Sequence, residues 1–287
     1  MCDDDIHVGL VYDPTVSRRT FGLMSVAAAG GIATSAQAAG EVVEKDVEVK
    51  TPDGVADAAL FHPAGKGTWP AVLIWTDIAG LRPAFREMGR RLAAQGYVVL
   101  VPNPFYRSIK GVVATPGFDF ANPTDRAKVM GYRQAMTNEG VDKDAAAYVA
   151  FLDAQPQTNK KKKVGVQGYC MGGPLSFRTA AAVSGRIGAV GSFHGGGLTT
   201  DKPDSPHLLI PKTNAGYLVA VAKNDDAKQP DSKDILKTAF ADAKKTATVE
   251  VYPADHGWCV KGSQVYDEAA AEKAWAELTK LYKAALV

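Results

Sequence analysis

Cysteine is scarce in this sequence: Cys2, Cys170 and Cys259 are the three in 287 residues. There is no CxxC and no histidine pair at ligand spacing, so a structural zinc site is excluded. Three thiols are also too few for a disulfide-stapled scaffold. An excess of charge of one sign is missing as well. The net charge is +2 with 22% charged residues, which argues against nucleic acid or an anionic membrane as the main partner. No internal repeat is present, which excludes solenoids and propellers. The glycine-rich turns match neither GxGxxG nor a Walker pattern, so phosphate cradling is disfavoured. What is present is a 46% hydrophobic content, ordinary for a soluble protein with one full core.

The first 38 residues read as an address. Asp3, Asp4, Asp5 and Asp13 precede Ser17-Arg18-Arg19-Thr20-Phe21, a paired arginine that resembles a twin-arginine export signal. A weakly apolar, Ala- and Gly-rich stretch runs from Phe21 to Ala33, too short for a stable spanning helix, which needs roughly 20 apolar residues. Ala36-Gln37-Ala38 has the A-x-A form of a cleavage site. The expected organisation is a signal peptide over residues 1–38 and one domain over 39–287. The twin-arginine translocase would deliver it to the periplasm, with no stable membrane association after cleavage.

From residue 41 onward the pattern alternates strand and helix. Val42 to Val49 and Val55 to Phe61 read as a hairpin around Thr51-Pro52-Asp53-Gly54. Ala71 to Trp75, Val98 to Val101, Val164 onward, Ile187 to Phe193, Tyr217 to Ala222 and Thr248 to Tyr252 are apolar runs of strand length. Helices are expected over Arg82 to Gln95, from Thr124 (as N-cap) to Ala154 with a break near Asn138-Glu139-Gly140, from the 170 region to about Val183, over Ser232 to Lys244, and over Tyr266 to Ala285. Strands separated by helices imply an α/β fold with a mostly parallel central sheet and helices on both faces. In such sheets ligands bind beyond the carboxyl ends of the strands.

The chemistry-bearing residues fall at those ends. Gly168-Tyr169-Cys170-Met171-Gly172-Gly173 has the form of a nucleophile elbow with Cys170 in place of serine. A nucleophile on a sharp strand-to-helix turn needs small residues two positions before and after it. The helix N-terminus favours the thiolate, and the Met171 amide points at the same space as an oxyanion donor. A buried structural cysteine in a glycine-rich turn is the alternative. His256, followed by Gly257 in the loop after the last strand, is placed as a base. The acid is expected just past Tyr217 to Ala222, where Asp225 is favoured and Asp226 stays open. The order nucleophile, acid, base matches the α/β-hydrolase arrangement.

Together the Gly-Tyr-Cys-Met-Gly-Gly turn, the aspartate loop and His256-Gly257 resemble the dienelactone hydrolase family over roughly residues 41–285. The resemblance implies an α/β-hydrolase fold, a Cys170–His256–Asp225 triad without metal or cofactor, and hydrolysis of a small lactone or activated ester. It also implies an acidic residue after the third strand. Asp77 of Asp77-Ile78-Ala79-Gly80 stands there, one methylene shorter than the family's glutamate, and the Ile78 amide supplies a second oxyanion donor. Arg107, within Asn103-Pro104-Phe105-Tyr106-Arg107, resembles a substrate-carboxylate arginine. Tyr106 and Trp258 complete the substrate-binding set. The family's second arginine, four residues past the histidine, is replaced by Val260. Rival readings are a general carboxylesterase or thioesterase, and a periplasmic binding protein whose triad is vestigial. His194-Gly195-Gly196-Gly197 reads as a tight turn at the cleft. Cys259 reads as a packing thiol, with oxidative pairing to Cys170 as its alternative.

Overall fold

The computed structural model describes residues 40–287; the stretch expected to be an export signal, with its expected cleavage point, lies outside them. Eight strands form one sheet: β1 (Val42–Thr51), β2 (Gly54–Pro63), β3 (Ala71–Trp75), β4 (Val98–Pro102), β5 (Val164–Tyr169), β6 (Ile187–Phe193), β7 (Gly216–Ala222) and β8 (Ala247–Tyr252). Their spatial order is β1-β2-β4-β3-β5-β6-β7-β8. The β1–β2 hairpin and the β2–β4 pair are antiparallel, and all remaining pairs are parallel. This is the α/β-hydrolase plan.

Strands β3, β4, β5 and β6 are buried along their whole length, which is why they read as continuous apolar runs rather than alternating ones. Burying these side chains on both faces supplies the main driving force for the fold. One core holds Leu73, Leu100, Val166 and Val190; the other holds Val72, Ile74, Val99 and Phe193. Successive residues of one strand therefore feed opposite layers.

The helices are α1 (Pro83–Ala94), α2 (Pro123–Gln134), α3 (Asn138–Ala154), α4 (Gly172–Ala182), α5 (Lys223–Lys228), α6 (Ser232–Asp242) and α7 (Glu268–Ala285). In α1, Phe85, Met88 and Leu92 form the buried face, as the 3.6-residue period requires. Two local expectations are corrected. The cap of α2 is Asn122, whose side chain accepts from Thr124 N and Asp125 N, with Pro123 in the first helical position; an Asn–Pro start outcompetes Thr124. The break between α2 and α3 falls at residues 135–137, a turn earlier than the Asn-Glu-Gly run. It is set by Thr137, whose hydroxyl caps Gly140 N at 3.0 Å.

The build direction of the sheet reverses between β3 and β5. β4 lies to one side of β3, and β5 to β8 extend on the other. Such a switch point opens a crevice at the carboxyl ends of the strands, and the turns after β3 and β5 flank it.

Candidate active site

Cys170 directly follows β5 and opens the turn into α4. Its φ is +52°, a left-handed conformation that costs an ordinary residue about 1–2 kcal/mol. The neighbours hold it there. Cys170 N donates to Phe193 O (3.0 Å), and Gly173 N donates back to Cys170 O (3.0 Å). The glycines are required by close approach: a Cβ on Gly168 would lie 1.9 Å from Gly172 O, and one on Gly172 would lie 2.5 Å from Trp75 O. Tyr169 anchors the turn from beneath, stacked on Phe193 at 4.9 Å and edge-on to Phe85 at 5.5 Å.

His256 follows β8. Its Nδ1 is 2.7 Å from Asp225 Oδ2, and its backbone N donates to Asn224 Oδ1 at 2.8 Å. Asp225 lies in the first turn of the short helix α5, where the sequence suggested only loop. That turn separates the two acidic candidates: Asp226 accepts from Lys233 Nζ at 2.8 Å instead. The His256 ring is buried, which by itself lowers its pKa. The charge of Cys170 and the hydrogen bond to Asp225 outweigh burial and push it up to about 10. His256 Nε2 makes no aligned hydrogen bond in this geometry, so the sulfur acts on it chiefly as a nearby charge.

Cys170, His256 and Asp225 line one cleft with Ile78 and Met171. The cleft encloses about 980 Å³, its open mouth included. Ile78 and Met171 come from the turns on either side of the sheet's switch point. Among the described residues neither amide has a protein acceptor, so both stand available to an oxygen in the cleft. No group of three or more His, Cys, Asp or Glu side chains is placed to hold a metal ion among the described residues.

The substrate-binding residues suggested by sequence sit elsewhere. Asp77 is buried and turned to Arg82, with oxygens 2.5 and 2.7 Å from the guanidinium, and it also accepts from Ala79 N. It therefore clamps the turn that carries Ile78. Asp77→Ala is expected to lower unfolding free energy by about 3–5 kcal/mol, because Arg82 would be left charged and buried. Urea unfolding monitored by tryptophan fluorescence measures this; a loss under about 1 kcal/mol would sink the assignment.

Arg107 binds Asp144 through Nη1 (2.7 Å) and Nη2 (2.9 Å), and Asp53 through Nη2 (2.7 Å). Tyr106 OH donates to Asp144 (2.7 Å) and shares a bond with Thr51 Oγ1 (2.6 Å). Neither residue lines the cleft; together they tie the β1–β2 turn to α3. Trp258 is fully buried, stacked on Tyr252 at 5.3 Å and edge-on to His194 at 5.2 Å. It forms a floor under the histidine loop rather than a cleft wall.

The His-Gly-Gly-Gly run divides in two. Gly195, Gly196 and Gly197 line the cleft, while His194 packs edge-on against His256 with ring centroids 4.7 Å apart. Burial, then the His256 charge, hold its pKa well below the usual histidine value, so it is a neutral ring. Cys170 and Cys259 are both free. Cys259 lines a separate cavity with Tyr169, Phe193 and Trp275, and burial pushes its thiol pKa well up. Sequence reasoning missed Met130 and Arg133, which α2 contributes to the cleft. Nothing in the local pattern of α2 marks either as a cleft residue.

The model of the dienelactone hydrolase family matches residues 56–286. Carboxymethylenebutenolidase of Pseudomonas putida is 27% identical over 59% of this chain and 69% of its own length. Carboxymethylenebutenolidase 1 of Cupriavidus pinatubonensis is 25% identical over 82% of this chain and 94% of its own. Among solved structures, a dienelactone hydrolase-like promiscuous phosphotriesterase from metagenomic libraries superposes with a TM-score of 0.69 at 21% identity, covering 86% of this chain and 100% of that one; this last likeness is one of fold. The chain belongs to the dienelactone hydrolase family and is a hydrolase acting on ester bonds.

Proposed function

We propose that this hydrolase cleaves a lactone or activated carboxylic ester through a covalent thioester on Cys170, in the manner of a carboxymethylenebutenolidase, after export by the twin-arginine route. The observation that carries the reading is the shared cleft. A cysteine held at φ +52° and a histidine whose Nδ1 is fixed 2.7 Å from Asp225 line the same cleft as Ile78 and Met171, whose amides have no protein acceptor among the described residues.

The steps follow from these groups. The Cys170 sulfur, paired with a protonated His256, attacks the acyl carbon, and the carbonyl oxygen becomes an oxyanion. The amides of Ile78 and Met171 donate to it where charge develops. As the oxyanion collapses, the carbon–oxygen bond to the leaving group breaks, and His256 gives its proton to that oxygen. In a lactone the freed hydroxyl stays tethered. Neutral His256 then takes a proton from water, whose oxygen attacks the thioester. The acid leaves, and Cys170 and His256 return to their starting charges. Asp225 holds the imidazole in one tautomer and favours its charged form. Esters with a stabilised leaving group suit this site best, because the thioester must hydrolyse before the leaving oxygen returns.

Substrate hydrolysis by the chain from residue 39 onward tests the reading, with p-nitrophenyl acetate beside a dienelactone. Turnover of neither would weigh against it. The pH dependence adds a sharper check. His256 must carry a proton to release the leaving group, and its pKa is raised to about 10. The rate kcat/KM is therefore expected to hold through neutral pH and fall as pH rises through about 10. In Asp225→Asn the hydrogen bond that favours the cation is weakened, so the basic limb should move to lower pH and kcat should fall about a hundredfold or more. An unmoved limb in a pH–rate profile would show that Asp225 does not govern His256.

A further inference from the structure

We propose that Arg133 is a specificity-determining residue that binds a carboxylate at the far end of an extended acyclic ester, so that the natural substrate is longer than a compact lactone. The proposal rests on the ester-hydrolase reading above.

The cleft does not end at the candidate triad. Met130, Arg133, Pro174, Gly196 and Gly197 line both it and a second chamber of about 1090 Å³, open mouth included. The second chamber continues past Asn138, Arg178, Thr200 and Lys202. The two spaces share these five lining residues, so a chain longer than a five-membered lactone can run from the first into the second and bury its length there. A substrate matched to this space reaches from Cys170 across the join.

Arg133 stands at that join. It is half-buried, and among the described residues it forms no ion pair; its guanidinium makes one hydrogen bond, from Nη1 to Met136 O at 3.0 Å. Arg178, which lines the outer chamber with it, is committed to Asp142 at 2.5 Å, and elsewhere in the fold Arg82 is held by Asp77 and Arg107 by Asp53 and Asp144. The bond to Met136 O fixes one edge of the fork and leaves further N–H groups for a ligand. A guanidinium prefers a planar anion that accepts two parallel bonds, which a carboxylate does. In the outer chamber, Arg178 Nε is buried without a partner, and Lys202 is a further cation. Asp204, the acidic residue lining that chamber, is hydrogen-bonded by Asn138 Nδ2. The surroundings favour an anionic tail over a neutral or cationic one.

The test uses binding first, so that it does not depend on turnover. Calorimetric titration of Cys170→Ala protein with adipate monomethyl ester, beside methyl hexanoate, is expected to show about tenfold or more tighter binding of the charged ester. Adding Arg133→Met should abolish that difference, and Arg133→Lys should restore part of it. Kinetics on Cys170-intact protein complete the pattern. The ratio of kcat/KM for mono-p-nitrophenyl adipate to that for p-nitrophenyl hexanoate should exceed unity and drop about tenfold or more in Arg133→Met. Equal binding of charged and neutral esters, or a difference that survives Arg133→Met, would overturn the subsite. If charged esters bind through Arg133 but no ester is turned over, the subsite stands and the ester-hydrolase reading fails. Turnover without an anionic preference would overturn the subsite and leave the ester-hydrolase reading standing.

Discussion

Replacing Cys170 by alanine should reduce hydrolysis of p-nitrophenyl acetate by about a thousandfold or more, while the melting temperature stays within a few degrees. The size of the loss follows from the role proposed for Cys170. A nucleophile that forms the covalent intermediate leaves only binding and oxyanion stabilisation when removed. The small effect on stability follows from the site: the side chain faces the cleft, and alanine meets the same left-handed φ of +52° that cysteine does. Cys170→Ser separates nucleophile from base. A hydroxyl stays protonated at neutral pH, so the charge that helps raise the His256 pKa to about 10 disappears. The serine variant is expected to be strongly impaired, with any remaining activity rising at a lower pH as His256 becomes a free base. Circular dichroism melts and initial rates across about pH 6 to 10, roughly the span between the ordinary and raised histidine values, check both variants. Retention of more than a tenth of the wild-type rate in the alanine variant would refute a thioester route.

Gly168→Ala should damage folding and activity together. Its Cβ would lie 1.9 Å from Gly172 O and 2.2 Å from Gly172 C. Those atoms are backbone at the start of α4, and they cannot swing aside as a flexible side chain can. Either the turn opens or β5 shifts. Overpacking in a closed core costs about 1–3 kcal/mol, and more where backbone must move. A loss of about 3 kcal/mol corresponds to roughly 6–12 °C in melting temperature for a domain of this size. Because Cys170 and the Met171 amide ride on the same turn, an ångström of displacement should cost about a hundredfold in kcat/KM. Gly185 is the matched control: a Cβ there meets nothing within 4 Å, so Gly185→Ala should leave both quantities near wild type. Similar behaviour of the two variants would show that the elbow is not closed as described.

The elbow was legible in the sequence because its cause is local. The small residues at 168 and 172 are demanded by atoms within five positions and by the neighbouring strand β3, and both demands leave a mark in the Gly-x-Cys-x-Gly spacing. The acid was only half legible. Asp225 and Asp226 are equivalent as letters. The turn of α5 and the lysine seven residues on, Lys233, send one carboxylate to His256 and the other to an ion pair. The substrate-binding residues were the least legible. Arg107 and Tyr106 looked available until Asp53 and Asp144 arrived from a distant turn and from α3. Asp77 looked like a cleft acid, yet its shorter side chain is taken by Arg82 five residues on.

The sequence by itself determined the order of strands and helices, the buried character of the central strands, and the turns on which Cys170 and His256 stand. These follow from hydrophobic period, glycine sterics and turn chemistry, which act over a few residues. Only the tertiary structure decided where the polar side chains point. A charged group takes the nearest opposite charge the fold brings to it, and that partner can lie 54 positions away, as Asp53 does from Arg107. The same logic leaves Arg133 at the cleft wall with no carboxylate partner among the described residues. Nothing in α2 alone announces it, because its isolation is a property of every acidic residue that packed elsewhere.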